Sequence, residues 1–215
     1  MKLTLLFDLD GTLIDSRYDI AGAINFAMQH QAGHEVPIRR ILPYIGSTLE
    51  ATFEGLLSEP TPELIGLCIE TYKHHYYEHC TENTSPFPGV AATLARLDGH
   101  LRGVVTTKRT FMAKRVLREV GLAHQFDLIL GTEEDIDPKP DPAVIFRACK
   151  MLGIEPVNAA VVGDTLHDMR AAKAAGCRSI AVTYGFGDPR ELIAFGPDAV
   201  IDSFDQLLRV LAETA

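Results

Sequence analysis

The residue types best suited to chemistry in this chain stand where short apolar runs stop. The run 3–7 ends in Asp8-Leu9-Asp10-Gly11, and the run 101–106 leads into Thr106, Thr107 and Lys108. The run 126–130 is followed by Gly131 with Lys139 downstream, and the run 159–162 by Gly163, Asp164 and Asp168. In an open α/β sheet, ligands sit beyond the carboxyl ends of the strands. Four acids, two lysines and two threonines would therefore converge on one crevice. Crowded carboxylates repel one another and raise each other's pKa, which costs stability unless a cation occupies the site. A hard, oxygen-seeking ion resolves that conflict. Mg²⁺ suits a few carboxylates, some water and a phosphate oxygen, whereas thiolate or imidazole ligands for zinc are missing. A metal would also mask the charge that keeps a carboxylate nucleophile from a phosphate dianion.

Such a crevice needs a parallel sheet behind it. The run 3–7 is almost wholly apolar and stops at a turn, the pattern of a strand buried on both faces. Runs at 101–106, 126–130, 159–162, 179–182 and 199–201 are likewise short, apolar and partly β-branched, with helical patterns between most of them. The alternation predicts an α/β, doubly wound parallel-sheet (Rossmann-like) core.

Between Asp15 and Ser85 the alternation fails. Ile20, Ala23, Ile24, Ala27 and Met28 recur at helical spacing after an Asp15-Ser16 cap signal. Leu49, Phe53 and Leu56, then Leu64, Leu67 and Ile69, predict further helices, and Thr84-Ser85-Pro86-Phe87-Pro88-Gly89 is a turn-rich return. The expected organisation is a catalytic core of residues 1–15 and 85–215, with an α-helical cap of residues 16–84 inserted into it.

Several of these residues also have plainer readings. Asp8-Leu9-Asp10-Gly11 is a polar turn with Gly11 free to take positive φ. Thr165-x-x-Asp168 is a capping box for a helix that ends before Gly176. Asp141 as N-cap and Pro142 at the first helical position explain the prolines around Lys139 but not the lysine itself. Lys108 is either a site residue or a solvated one. His74, His75 and His79 read as the solvated face of a cap helix rather than a metal site. Gly185-Phe186-Gly187 lacks the third glycine of a dinucleotide loop, and no phosphate-binding Gly-x-x-x-x-Gly-Lys loop occurs.

With 47% hydrophobic and 23% charged residues, the chain is that of an ordinary folded protein. Its 215 residues suit one core plus a modest insertion, large enough to need neither a structural metal nor a disulfide. Lys and Arg number 20 against 29 Asp and Glu, and the net charge of -9 disfavours nucleic acid as a partner. A small anion survives that argument, because a local cluster of lysines and N–H groups can hold one phosphate. No apolar stretch approaches a membrane span, and Asp8 and Asp10 cut the opening run short of a signal peptide's core. Cys68, Cys80, Cys149 and Cys177 contain no close pair and read as reduced thiols in a cytoplasmic protein. No heptad or single apolar face fixes an assembly, and a monomer or weak dimer is expected.

Four segments appear in order: Phe7-Asp8-Leu9-Asp10-Gly11-Thr12-Leu13-Ile14-Asp15-Ser16, Val104-Val105-Thr106-Thr107-Lys108, Lys139-Pro140, and Val161-Val162-Gly163-Asp164-Thr165-Leu166-His167-Asp168. In sequence and spacing they resemble the four motifs of the haloacid dehalogenase superfamily, in its phosphoglycolate-phosphatase-like branch. The resemblance implies a Mg²⁺-dependent phosphatase for a small-molecule phosphomonoester, with phosphoglycolate the nearest family substrate. It implies that Asp8 is a nucleophile forming an aspartyl-phosphate. Asp10 would protonate the leaving alcohol and then deprotonate the attacking water. Mg²⁺ would lie on the Asp8 carboxylate, the Asp10 carbonyl and Asp164, with Asp168 reached directly or through water. The Thr106 hydroxyl, the Thr107 N–H and Lys139 would bind the phosphoryl oxygens. Thr107 departs from the Asn common in relatives. The alternative within the same core is a phosphomutase on a sugar phosphate. Mutases of that kind place a cation shortly after a cap glycine, whereas Gly46 is followed by Ser47, Thr48 and Leu49. Substrate choice would fall to cap residues, with Arg39, Arg40, Tyr44, Gly46 and Ser47 as candidates.

Overall fold

Apolar residues without a polar face must be covered on both sides, and Thr4–Phe7, strand β1, is buried throughout. In the computed structural model, which describes residues 2–213, β1 lies inside a six-stranded parallel sheet. After the two-residue β2 (Ile14–Asp15) and β3 (Ser85–Pro86) come β4 (Arg102–Arg109), β5 (Leu128–Thr132), β6 (Ala159–Gly163), β7 (Arg178–Val182) and β8 (Ala199–Ile201). The main sheet runs β5-β4-β1-β6-β7-β8, so β1 sits between β4 and β6. Each of the six sequence runs supplies one of these strands.

Alternating side chains of β1 feed two cores. Leu5 and Phe7 join Val104, Val162 and Met112, Ala113 and Val116 of helix α6 (Thr110–Glu119), while Leu6 joins helices α7 (Ala143–Leu152) and α8 (Leu166–Ala175) on the other face. Helix α7 starts one residue later than the Asp141-Pro142 pattern suggests. Pro142 is the cap position, and Asp141 Oδ1 accepts from the Ala143 N–H at 2.8 Å.

Between β2 and β3 lie only helices: α1 (Arg17–Ala32), α2 (Ile38–Ile41), α3 (Leu49–Leu56) and α4 (Pro62–His79), with one short 3₁₀ turn, and α5 (Val90–Leu94) follows β3. The antiparallel pairing of Ile14 with Pro86 and of Asp15 with Ser85 closes the way out and the way back. Buried Asp19 on α1 ties the return further, accepting from the Asn83 N–H at 3.0 Å, Asn83 Nδ2 at 2.8 Å and Thr84 Oγ1 at 2.6 Å. The inner face of α4 is carried by Cys68, Ile69, Tyr72 and Tyr76, whereas Leu67 is 55% exposed and points away from it. His75 is more than solvated: its ring stacks on Phe26 at 4.0 Å, and His79 Nδ1 pairs with Glu82 at 2.7 Å.

One irregularity aims the second motif. Val105 pairs with Leu130 but Arg109 pairs with Thr132, so β4 carries extra residues and bulges at Thr106, Thr107 and Lys108. The bulge passes directly over Gly131, where a Cβ would stand 1.8 Å from the Lys108 carbonyl oxygen. Only glycine fits beneath it.

Candidate active site

Three carboxylates meet beyond the ends of β1 and β6. Asp8, Asp164 and Asp168 are all buried, and each offers an oxygen within 4.8 Å of the others. Lys139 enters from the segment after β5. Its Nζ donates to Asp8 Oδ1 at 2.7 Å, to the Val105 carbonyl at 3.1 Å and to Asp168 Oδ1 at 2.5 Å, which uses all three of its protons. Burial opposes that ammonium, but Asp168 and Asp8 outweigh it and hold its pKa above the ordinary value. Burial pushes the Asp8 carboxyl up to about 6, against the pull of Lys139 and with help from Asp168.

Asp168 serves two masters. Its Oδ2 accepts from the Thr165 N–H at 3.0 Å and the Thr165 hydroxyl at 2.6 Å, completing the capping box of α8, and its Oδ1 takes Lys139. Capping α8 and standing beside Lys139 are thus compatible for one side chain. Asp164 is more deeply enclosed: Thr12 Oγ1 donates to its Oδ1 at 2.9 Å and the Phe186 N–H to its Oδ2 at 2.8 Å. Burial, then Asp8 and Asp168, push its carboxyl up to about 8.

Close packing around Asp164 explains three glycines. A Cβ on Gly185 would lie 2.3 Å from Asp164 Cβ, one on Gly187 2.1 Å from its carbonyl oxygen, and one on Gly11, at φ +88°, 2.2 Å from its Oδ2. Gly185-Phe186-Gly187 is thus a collar on Asp164 rather than a nucleotide loop.

Asp10 stands apart from the three. Its Oδ2 pairs with Lys108 Nζ at 2.8 Å and its Oδ1 accepts from Ser16 Oγ at 2.6 Å. Ser16 occupies the N-cap position of α1 yet makes no side-chain cap bond, because its hydroxyl goes to Asp10 instead. Lys108 resolves toward the site, not solvent. It also donates to the Tyr76 hydroxyl of α4 at 3.0 Å and lies 4.9 Å from that ring's centre, so it bridges the sheet and the inserted helices. Thr106 is buried, and its Oγ1 accepts from the Lys108 N–H at 3.3 Å. The Thr107 hydroxyl is buried and has no hydrogen-bond partner among the described residues, an open donor and acceptor on a residue that lines the cleft.

With every group ionised, Asp8, Asp10, Asp164 and Asp168 outnumber Lys108 and Lys139 by two charges. Burial first, and the neighbouring carboxylates after it, raise the carboxyls of Asp8 and Asp164. An all-oxygen, buried donor set with this deficit fits a hard divalent cation. The side chain of Asp10, turned to Lys108 and Ser16, lies outside the cluster.

Of the cap candidates, Tyr44 and Ser47 line the cleft above Asp10, and Ser47 Oγ lies 3.4 Å from His167 Nε2. Arg39 and Arg40 are exposed on α2 and do not reach the cleft, and Gly46 stands at φ +96° beside Thr165.

Residues 5–182 match the family model described as haloacid dehalogenase-like hydrolase. The chain is 35% identical over 211 residues to the phosphoglycolate phosphatase of Neisseria meningitidis serogroup A, covering 94% of this chain and 90% of that one. It is 33% identical to the phosphoglycolate phosphatase of Yersinia pseudotuberculosis over 94% of this chain and 90% of the relative. A haloacid dehalogenase-like hydrolase from Streptococcus pneumoniae superposes with a TM-score of 0.89 at 28% identity, over 100% of this chain and 99% of that one. The protein belongs to the haloacid dehalogenase-like hydrolases, in their phosphoglycolate-phosphatase-like branch. Within that family it is a phosphatase, a hydrolase of phosphoric monoesters.

Proposed function

We propose that the protein is a Mg²⁺-dependent phosphatase that cleaves a small phosphomonoester through an aspartyl-phosphate on Asp8. The observation that carries this reading is the pairing of two strand-end aspartates with separate lysines: Asp8 with Lys139, Asp10 with Lys108. Asp8 is thereby oriented beside two further acids, while Asp10 sits where a leaving group would depart. Asp8 and Asp164, with the Asp10 carbonyl and with Asp168 directly or through water, would hold Mg²⁺, which supplies charge neutralisation at the phosphoryl group. Lys139, the Thr106 hydroxyl and the Thr107 N–H hold the phosphoryl oxygens, Lys139 giving up one of its three present acceptors to do so. Asp8 attacks phosphorus as the P–O bond to the alcohol breaks, protonated Asp10 giving its proton to the departing alkoxide; the ionised Asp10 then takes a proton from the water that attacks phosphorus and releases phosphate from Asp8. The relatives' names make phosphoglycolate the first trial substrate. Residues 16–84 form the cap and residues 1–15 with 85–215 the catalytic core, a division supported by the β2–β3 pairing at Asp15 and Ser85. A cytoplasmic setting is supported by four free cysteines. No helix among the described residues is long and apolar enough to cross a membrane. We further read the chain as a monomer or weak dimer without a nucleic-acid partner.

The test is metal dependence read two ways. Turnover of p-nitrophenyl phosphate should vanish on chelation and return with Mg²⁺, while Ca²⁺ restores little because its looser shell misplaces the phosphate. Stability supplies the second reading. Folding raises the Asp8 and Asp164 carboxyls from 3.8 to about 6 and about 8, so the metal-free folded state binds more protons than the unfolded one across that window. Stability present below the unfolded value is then lost as pH rises through the folded values. Mg²⁺ binds the deprotonated acids, so its stabilisation should be larger at about pH 8 than at about pH 5. Full turnover in chelator, or an equal shift in melting temperature at both pH values, would remove the metal from this site.

Gly185→Ala probes the collar. The new Cβ must displace the Asp164 side chain, and overpacking of this kind costs about 1–3 kcal/mol. Thermal unfolding should show that loss, and titration a roughly 10- to 100-fold weaker affinity for Mg²⁺ because the ligand shell is disturbed.

A further inference from the structure

Above Asp10, between the cap helices and the bulge of β4, lies a cleft of about 640 Å³. At ~30 Å³ per water that is room for roughly twenty waters. Its walls are largely apolar: Ile24, Tyr44, Ile69 and Tyr72 from the cap meet Phe111 and Ile136 from the core. The charge around it has the opposite sign to what a carboxylate would need. Glu50, Glu133, Glu134 and Asp137 line it as exposed acids. Of its three cations, Lys73 is paired with Glu70 at 2.8 Å and Lys108 with Asp10 at 2.8 Å. The third, Arg109, is exposed and pairs in the sheet with Thr132, the residue before Glu133 and Glu134.

Resting on the phosphatase reading above, we propose that the alcohol carried by the substrate is uncharged and has an apolar, ring-sized body that fills this cleft. A two-carbon hydroxy acid would leave most of the space to water. It would also bring its carboxylate among apolar walls and acids, where Arg109 is the one lining cation without a carboxylate partner among the described residues and hydroxyls such as Thr107 offer no charge. A ring gains on both counts, since tyrosine and phenylalanine faces bury it without asking for a counter-charge.

The experiment compares kcat/KM of the Mg²⁺-loaded protein on 2-phenylethyl phosphate, ethyl phosphate and phosphoglycolate, three primary alkyl esters that differ in what enters the cleft. The phenylethyl ester is expected to exceed the ethyl ester by about tenfold or more, the scale of a well-filled apolar pocket, and phosphoglycolate to rank last. Phe111 is 59% exposed, so Phe111→Ala leaves the core intact and should cut the phenylethyl advantage several-fold. Glu50→Lys, at an exposed position, should raise kcat/KM on phosphoglycolate. Phosphoglycolate matching or beating the phenylethyl ester overturns this inference while leaving the phosphatase intact. Failure to hydrolyse any of the three or p-nitrophenyl phosphate overturns the reading beneath it.

Discussion

Asp8→Asn is expected to abolish turnover, by about 10⁶-fold, the scale of loss when a covalent catalyst is stripped of its nucleophile. An amide occupies the same volume and can still face Lys139, but it has no charged oxygen to attack phosphorus. The variant should also fold at least as well as the parent. Burial leaves the Asp8 carboxyl raised to about 6 even with Lys139 beside it, so above that pH the native site holds a charge it would rather lose. A neutral side chain relieves this, and the melting temperature of metal-free Asp8→Asn at about pH 8 should equal or exceed that of the parent. Rapid acid quench followed by intact mass measurement should find phosphorylated protein in the parent and none in the variant. A phosphoenzyme in Asp8→Asn would place the nucleophile on another residue.

The acids and Lys139 were legible because a parallel sheet has one chemically useful edge, and residues after an apolar run can only lie there. What the chain could not announce is which polar partner each acid takes. Thr12 reaches Asp164 across 152 residues of sequence, and Phe186 contributes only its N–H, which every residue but proline has. Ser16 carries the signature of a helix cap, yet tertiary placement brings Asp10 nearer than the first-turn amides need it. Lys108 looks like any strand-end lysine until the β4 bulge turns it inward. At Gly185 and Gly187 the sequence excludes a dinucleotide loop but does not say what the glycines are for: two glycines flanking one residue just after a strand leave open a loop that must pass close to another side chain. The cap is least legible of all. The sequence offers Arg39 and Arg40 as cap candidates without showing that α2 holds them away from the cleft, whereas Tyr44, three residues past the end of α2, lines it.

For Asp10 the decisive feature is that its importance should depend on the leaving group. Proton transfer to a departing oxygen contributes about 10²–10⁴-fold. An alkyl alcohol leaves as a strongly basic alkoxide and needs that proton, whereas p-nitrophenolate leaves with little help. Asp10→Asn should therefore slow phosphorylation of Asp8 by alkyl phosphates by that factor and by p-nitrophenyl phosphate only several-fold. The amide keeps the Ser16 contact to its oxygen but loses the ion pair with Lys108, so the cap contact through Tyr76 supplies a check on structure. If the variant merely loosened the cap, both substrates would suffer alike. Hydrolysis of the intermediate also draws on Asp10 as base, so the aryl substrate should give a burst of p-nitrophenol followed by slow turnover. Single-turnover kinetics with both esters separate the two steps. Equal losses in the phosphorylation step would assign Asp10 to holding Lys108 and the cap in place, and proton transfer would have to be sought elsewhere.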